Sequence, residues 1–313
     1  MIALGIDSSN YRSSAAAFFD DSTYISERKL LYVENGKCGL RQSDAVFLHT
    51  KQLPQVVGAV LDKIDCNNVG CIGVSATPRS VMRSYMPCFL SGVAIAKTLS
   101  KALKVPLYEF SHQDGHIASA LLSANETKLF KEKFIAFHLS GGTTEAVLVS
   151  PSDSYGFKTE IIAKTLDVSV GQIIDRVGVM LGLDFPCGEQ FEKIAISGIP
   201  KSNIRPTLKE NDCCLSGVQN ICQKMFDNGE SAQNICATAL FYVIKTVCQM
   251  AENLRKIYPE YKMIFSGGVA SNSALKYEIQ NTLKTGISFA TPELSSDNAV
   301  GISLLAKMAY RSI

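Results

Sequence analysis

Ile2-Ala-Leu-Gly-Ile-Asp7-Ser8-Ser9-Asn10, followed by Ser14-Ala-Ala-Ala-Phe-Phe19, reads as an apolar strand, a small polar turn and a second apolar strand. Half a chain later the same shape returns as Phe134-Ile-Ala-Phe-His-Leu139, the turn Ser140-Gly141-Gly142-Thr143-Thr144, and Ala146-Val-Leu-Val149. Each pair predicts a β-hairpin whose tight turn exposes hydroxyls and backbone N–H groups. Their recurrence predicts two related lobes. Working outward, apolar periodicity predicts helices over 43–64, 92–103, 170–181 and 231–256, with further helices starting at His112, Glu189 and Ser273 and a last one running to Ala309. Short strands are expected over 71–75, 107–110 and 262–265. The polar, charge-mixed stretch 125–133 is the expected boundary between lobes. Strands and helices alternate in both halves, so the fold class is α/β.

Composition narrows the function. The 313 residues are 46% hydrophobic and 19% charged, with 31 Lys and Arg against 29 Asp and Glu, a net charge of +2. Such a chain is neither disordered nor collagen-like, nor a strongly basic nucleic-acid coat protein. Ten cysteines are scattered without a CxxC pair, which excludes a zinc ribbon and a thioredoxin-type motif. The N-terminus lacks a basic leader region, and the apolar stretch 235–251 is interrupted by Lys245 and reads as too short to span a bilayer. The expectation is a cytoplasmic protein away from the membrane, with reduced thiols that are mostly small buried hydrophobes.

His112 and His116 stand four apart where a helix begins, so both imidazoles project from one face and can hold one ion, although a surface or core histidine pair has the same spacing. The protease pattern HExxH needs a glutamate directly after the first histidine, and Gln113 stands there; an amide cannot take a proton from metal-bound water. Asp114 either orients an imidazole or is a solvated helix residue. Gly141-Gly142 and Gly267-Gly268, each preceded by serine, bring bare amides toward an anion, yet neither is a GxxxxGK[ST] loop or a GxGxxG fingerprint. Asn272 and Asp297 both precede helices, where they also serve as N-caps. Arg79, Arg83, Lys97, Lys101 and Lys104 follow one another with no acid between Arg79 and Lys104, which suits either phosphate contacts or a solvated face.

Taken in order, these pieces resemble the TsaD family, the tRNA threonylcarbamoyladenosine transferases once described as O-sialoglycoprotein endopeptidases. The resemblance runs from Gly5-Ile-Asp-Ser-Ser9 through His112-Gln-Asp-Gly-His116, Ser140-Gly-Gly-Thr143, Val170-Gly-Gln-Ile-Ile-Asp175, Leu181-Gly-Leu-Asp-Phe-Pro-Cys-Gly188, Ser216-Gly217 and Gly267-Gly-Val-Ala-Ser-Asn272 to Ser296-Asp297-Asn298-Ala299. It implies the actin/Hsp70/sugar-kinase (ASKHA) fold: two RNase H-like lobes with a cleft between them, one over 1–125 completed by the terminal helix 298–313 and the other over 126–297. It further implies that His112, His116 and Asp297 bind one divalent metal, iron or zinc, and act in catalysis. Ser140, Gly141, Gly142, Asp175, Gly188 and Asn272 would hold the adenylate ligand, threonylcarbamoyl-AMP or ATP, ADP or AMP. The implied reaction moves the threonylcarbamoyl group to N6 of the adenosine beside a tRNA anticodon, with tRNA, a small paralogous ASKHA protein and an ATPase helper as partners. The chain departs from the family where Thr143 and Glu145 replace His and Gln, and where Thr77-Pro-Arg-Ser-Val-Met-Arg83 replaces a glycine-rich loop. Those changes keep open a non-catalytic or altered-substrate nucleotide-binding paralogue that regulates or scaffolds a partner; a metal-dependent glycoprotease on the same fold is the other alternative, and Gln113 weighs against it.

Overall fold

The computed structural model describes residues 1–9, 11–20, 22–32, 40–81, 84–152, 155–295 and 298–312. In chain order the first half runs β1 (Ile2–Ser9), β2 (Arg12–Phe18), β3 (Tyr24–Leu30), α1 (Gln42–Leu61), β4 (Val69–Thr77), α2 (Phe89–Leu103), β5 (Leu107–Ser111) and α3 (His112–Ser123). It continues with β6 (Phe134–Leu139), β7 (Thr144–Pro151), β8 (Phe157–Lys164), α4 (Val170–Met180), α5 (Gly188–Ala195), β9 (Thr207–Lys209), β10 (Asp212–Cys214), α6 (Ser216–Asp227) and α7 (Ala232–Ile257). The last elements are β11 (Met263–Ser266), α8 (Ser273–Leu283), β12 (Ile287–Phe289), α9 (Pro292–Ser295) and α10 (Ala299–Arg311). The chain divides into two compact units: Met1–Lys131 with Ser150–Lys158 and Glu293–Ile313, and Glu132–Val149 with Thr159–Pro292.

Each unit is built on a five-stranded mixed sheet. In the first the order is β3-β2-β1-β4-β5, in the second β12-β11-β6-β7-β8. Read from the hairpins outward, these are one arrangement used twice. β1 pairs antiparallel with β2 and parallel with β4, as β6 does with β7 and β11.

In the first unit the strand period of two decides what each face meets. Ile2, Leu4 and Ile6 of β1, with Ile72 and Val74 of β4, enter one apolar core together with Leu53, Val57 and Val60 of α1 and Ala96 of α2. The alternate residues Ala3, Gly5 and Asp7 face the other way. There a Cβ at Gly5 would stand 2.1 Å from the carbonyl of Ala299, and one at Gly73 would stand 2.7 Å from that of Ile302. Glycine is required at both positions because α10 lies directly on the strands. His49 of α1 is buried against the first hairpin, its Nδ1 2.8 Å from the Ser13 hydroxyl and its Nε2 2.6 Å from the Ser9 carbonyl.

The second unit is centred on the 26-residue α7, whose buried face packs into the core with Ile135, Phe137 and Leu139 of β6, Ile173 and Val177 of α4 and Phe265 of β11. The expectation that this stretch is too short for a bilayer is corrected: by length and composition α7 is long and apolar enough, but 78% of its apolar window is buried inside the protein. Lys245 does not interrupt it, since its ammonium reaches Glu278 at 2.7 Å. The sequence patterns do not predict β3, β8, β9, β10, β12, α6 and α9, and the strands among them are edge or short pieces. β3, for instance, carries Ser26, Glu27, Arg28 and Lys29 between Ile25 and Leu30 and buries none of its residues.

Candidate functional site

Strand β5 ends at Ser111, and the same residue starts α3. Its hydroxyl accepts from the Asp114 amide at 3.1 Å while the Asp114 carboxylate accepts from the Ser111 amide at 2.9 Å, a complete capping box. His112 is therefore the first helical residue and His116 lies one turn on, which puts both rings on one face. The two Nε2 atoms are 3.0 Å apart and the rings meet edge to face, their centroids 4.4 Å apart.

The other ring nitrogen of His112 is anchored. Its Nδ1 lies 2.8 Å from Oδ1 of Asp7, a side chain 1% exposed at the end of β1. The Asn298 amide nitrogen lies 2.9 Å from the same oxygen, 3.2 Å from the Ser75 hydroxyl and 2.9 Å from His112 Nδ1. Burial pushes the Asp7 carboxyl up, but the His112 ring and the hydrogen bonds from His112, Ser75 and Asn298 outweigh it and hold the group well below the usual carboxylate range. Asp7, Ser75 and Asn298 are the functional candidates that sequence reasoning missed. The available signal was an acid closing an otherwise apolar buried strand, since such a charge needs partners.

Two metal–nitrogen bonds of about 2.1 Å diverging from one ion place their nitrogens about 3 to 3.4 Å apart, so the histidine pair fits a shared divalent cation. A carboxylate on the far ring nitrogen is the usual support for such an imidazole. Among the described residues there is no group of three His, Cys, Asp or Glu able to hold a metal. Asp297, the expected third ligand, lies outside the described residues, as does Arg83.

Asp114 neither contacts an imidazole through its carboxylate nor sits in solvent, which corrects both readings of it. It is 2% exposed, and its carboxylate gathers the hydroxyls of Ser111 at 2.7 Å and Ser80 at 2.8 Å and the amide of Phe157 at 3.1 Å. The loop that carries Arg79 is thereby tied to α3, with a further bond from the Gln113 amide to the Pro78 carbonyl at 3.1 Å. Gly156, at φ +94°, leaves room for the carboxylate.

In the second unit the turn between β6 and β7 closes through the Ser140 amide on the Thr143 carbonyl at 2.8 Å, while the Ser140 hydroxyl accepts from the Thr143 amide at 3.1 Å. A Cβ on Gly141 or Gly142 would meet nothing within 4 Å, so these exposed glycines leave open space at the turn. At Gly171, near the start of α4, a Cβ would stand 2.5 Å from Gly141 Cα; that glycine lets the helix N-terminus press against the turn. Asp175 of α4 accepts from the Cys187 amide at 2.9 Å, next to Gly188 at the start of α5, and burial pushes its carboxyl up despite that bond. Asn272 caps α8 by accepting from the Leu275 amide at 2.9 Å. Gly267, at φ +100°, abuts the end of β6, since a Cβ there would stand 2.2 Å from the Leu139 carbonyl. Glu145 is buried and stands opposite His138 in the strand pairing.

The lysine stripe of α2 is exposed, and Lys97 faces Glu109 of β5 at 3.5 Å, an acid that the linear sequence does not place beside it. Nine of the cysteines are described, all free, and seven of them are buried. Burial pushes the thiols of Cys71, Cys88, Cys213, Cys222 and Cys236 up to about 12.

A family model described as tRNA N6-adenosine threonylcarbamoyltransferase, TsaD, matches residues 32–304. The chain is 28% identical to the tRNA N6-adenosine threonylcarbamoyltransferase of Riemerella anatipestifer over 99% of this chain and 93% of that one. It is 24% identical to the same-named protein of Methanopyrus kandleri over 97% and 86%. Among solved structures, it superposes with a TM-score of 0.56 at 13% identity on the Clostridium difficile activator of 2-hydroxyisocaproyl-CoA dehydratase with bound ADPNP, over 100% of this chain and 96% of that one. Full-length HypF in a phosphate- and nucleotide-bound form gives a TM-score of 0.62 at 15% identity, over 99% of this chain and 46% of that one. At such identities the structural likeness carries the fold alone, which is ASKHA.

Proposed function

Since this chain belongs to the TsaD family of tRNA N6-adenosine threonylcarbamoyltransferases, we propose that it transfers a threonylcarbamoyl group from threonylcarbamoyl-AMP to N6 of the adenosine beside a tRNA anticodon. In this reaction the N6 amine attacks the carbamoyl carbonyl carbon, the bond to the AMP phosphate oxygen breaks, and the amine gives up a proton. The observation that carries the reading at the site is the convergence of the His112 and His116 Nε2 atoms at 3.0 Å, with His112 braced from behind by a buried carboxylate. His112, His116 and Asp297 are the residues that would hold a divalent ion, iron or zinc. Asn298, the residue after Asp297 in the sequence, supports the third assignment because its amide lies 2.9 Å from His112. When bound, the ion supplies Lewis-acid polarisation of a donor oxygen.

The chain's own groups bind and orient the donor. The exposed amides at Gly141 and Gly142 and the Ser140 hydroxyl suit the phosphate. The Asp175 carboxylate suits ribose hydroxyls, and Gly188 and Asn272 suit the base side. By family likeness the partners are tRNA, a small paralogous ASKHA protein and an ATPase helper, in the cytoplasm. The test is incubation of the protein and those partners with tRNA, threonine, bicarbonate and ATP. Modified adenosine in the nucleoside digest is the expected product, and His112→Ala or His116→Ala should each lower its yield roughly a hundredfold or more. Full transfer by both variants would refute the assignment.

A second reading, a nucleotide-binding paralogue without turnover, draws support from Glu145, a buried acid one residue pair from the glycine turn where the family carries a neutral amide. In the same assay it predicts nucleotide binding with unmodified tRNA.

A further inference from the structure

Asp7 does more than neutralise a charge. An ionised carboxylate can only accept, so the hydrogen in the 2.8 Å contact between Asp7 Oδ1 and His112 Nδ1 belongs to the imidazole. In the neutral ring that fixes one tautomer: Nδ1 protonated, Nε2 bare and directed at His116. The surroundings agree. The Asn298 amide nitrogen has two hydrogens, and Asp7 at 2.9 Å and Ser75 at 3.2 Å accept both, so it has none to give to His112 Nδ1. Asn298 in turn is seated by Gly115 of α3, where a Cβ would stand 2.2 Å from its Oδ1. The strand ends β1 and β4, the start of α3 and the residue preceding α10 thus meet at one buried carboxylate.

We propose that Asp7, held by Asn298 and Ser75, is a positioning residue that keeps the neutral His112 ring in the Nδ1–H tautomer, so that the nitrogen it presents beside His116 is a lone pair. The proposal rests on the reading of His112 and His116 as metal ligands. A carboxylate with only a structural role would stabilise the fold without dictating which imidazole nitrogen carries the hydrogen.

Two measurements test it on the full chain. With four histidines in all, the imidazole region of a long-range proton–nitrogen-15 correlation spectrum of the metal-free protein is assignable residue by residue. His112 should show the Nδ1–H pattern; a dominant Nε2–H form overturns the proposal, and this reading needs no variant that might fail to fold. Zinc affinity is then measured by competition with a chromophoric chelator. Asp7→Asn should bind zinc roughly ten- to a hundredfold more weakly than the natural protein while its circular dichroism is retained. Equal affinity in a folded Asp7→Asn protein overturns the proposal. If the natural protein binds no zinc while His112 shows the expected tautomer, the ligand assignment is what has failed, and the positioning role falls with it.

Discussion

Asp114 accepts four hydrogen bonds, from the Ser111 amide and hydroxyl, the Ser80 hydroxyl and the Phe157 amide. Asp114→Ala removes half of a capping box and strands buried donors, so urea unfolding should show a loss of about 2 to 4 kcal/mol. Its position two residues after His112 was plain in the sequence; its burial was not, because residues 80 and 157 return to it only through the fold. Asp167 shows a different use of a carboxylate. Burial would raise it, but the amides of Leu215, Ser216 and Val168 prevail and bring it down to about 2. A depressed folded value means the contribution is present above the unfolded value near 3.8 and is lost as pH falls from there toward 2. In Asp167→Asn the urea midpoint should therefore fall less steeply across that window. Thiol chemistry gives a third check: Cys66 and Cys214, half-buried, should react with a disulfide reagent before the seven buried cysteines, which should become reactive only on unfolding.

At the scale of elements, the packing of α10 depends on hydrogen atoms in place of side chains. A Cβ on Gly301 would stand 2.0 Å from the Gly115 carbonyl, and one on Gly5 would stand 2.1 Å from the Ala299 carbonyl. Gly301→Ala or Gly5→Ala should cost about 1 to 3 kcal/mol in denaturant unfolding. The hairpins, α1, α2, α4 and α7 were legible because long apolar stripes repeat at 2 or 3.6 residues. β3, β8 and α6 were not, since an edge strand or a surface helix is stabilised by neighbours that the local sequence does not name. The histidine pair was legible for the same reason as the helices: its spacing is local. Asp7, Ser75 and Asn298 come together from three distant stretches, and only topology joins them.

At the scale of the molecule, one strand order used in both units is what the paired hairpins foretold, and the departures at Thr143, Glu145 and Arg79 sit within that order without altering it. The division of the chain is less simple than a cut near residue 125. Ser150–Lys158 belongs with the first unit, held by Phe157 on Asp114 and by Tyr155 against Tyr108 with ring centroids 5.4 Å apart. Removing residues 293–313 should leave the Gly5 and Gly73 face of the first sheet bare, and the truncated chain should appear in the insoluble fraction on expression.

The placement of α10 also sets a timetable. A ribosome adds about 5 to 20 residues per second, so roughly ten to thirty seconds separate the emergence of the first unit's leading segment from that of the helix that closes it. Throughout that interval the strip of sheet at Gly5 and Gly73 lacks the helix that covers it, while the whole intervening unit is being made. Any factor that shields unpaired sheet faces of a nascent chain would find its longest-lived target there.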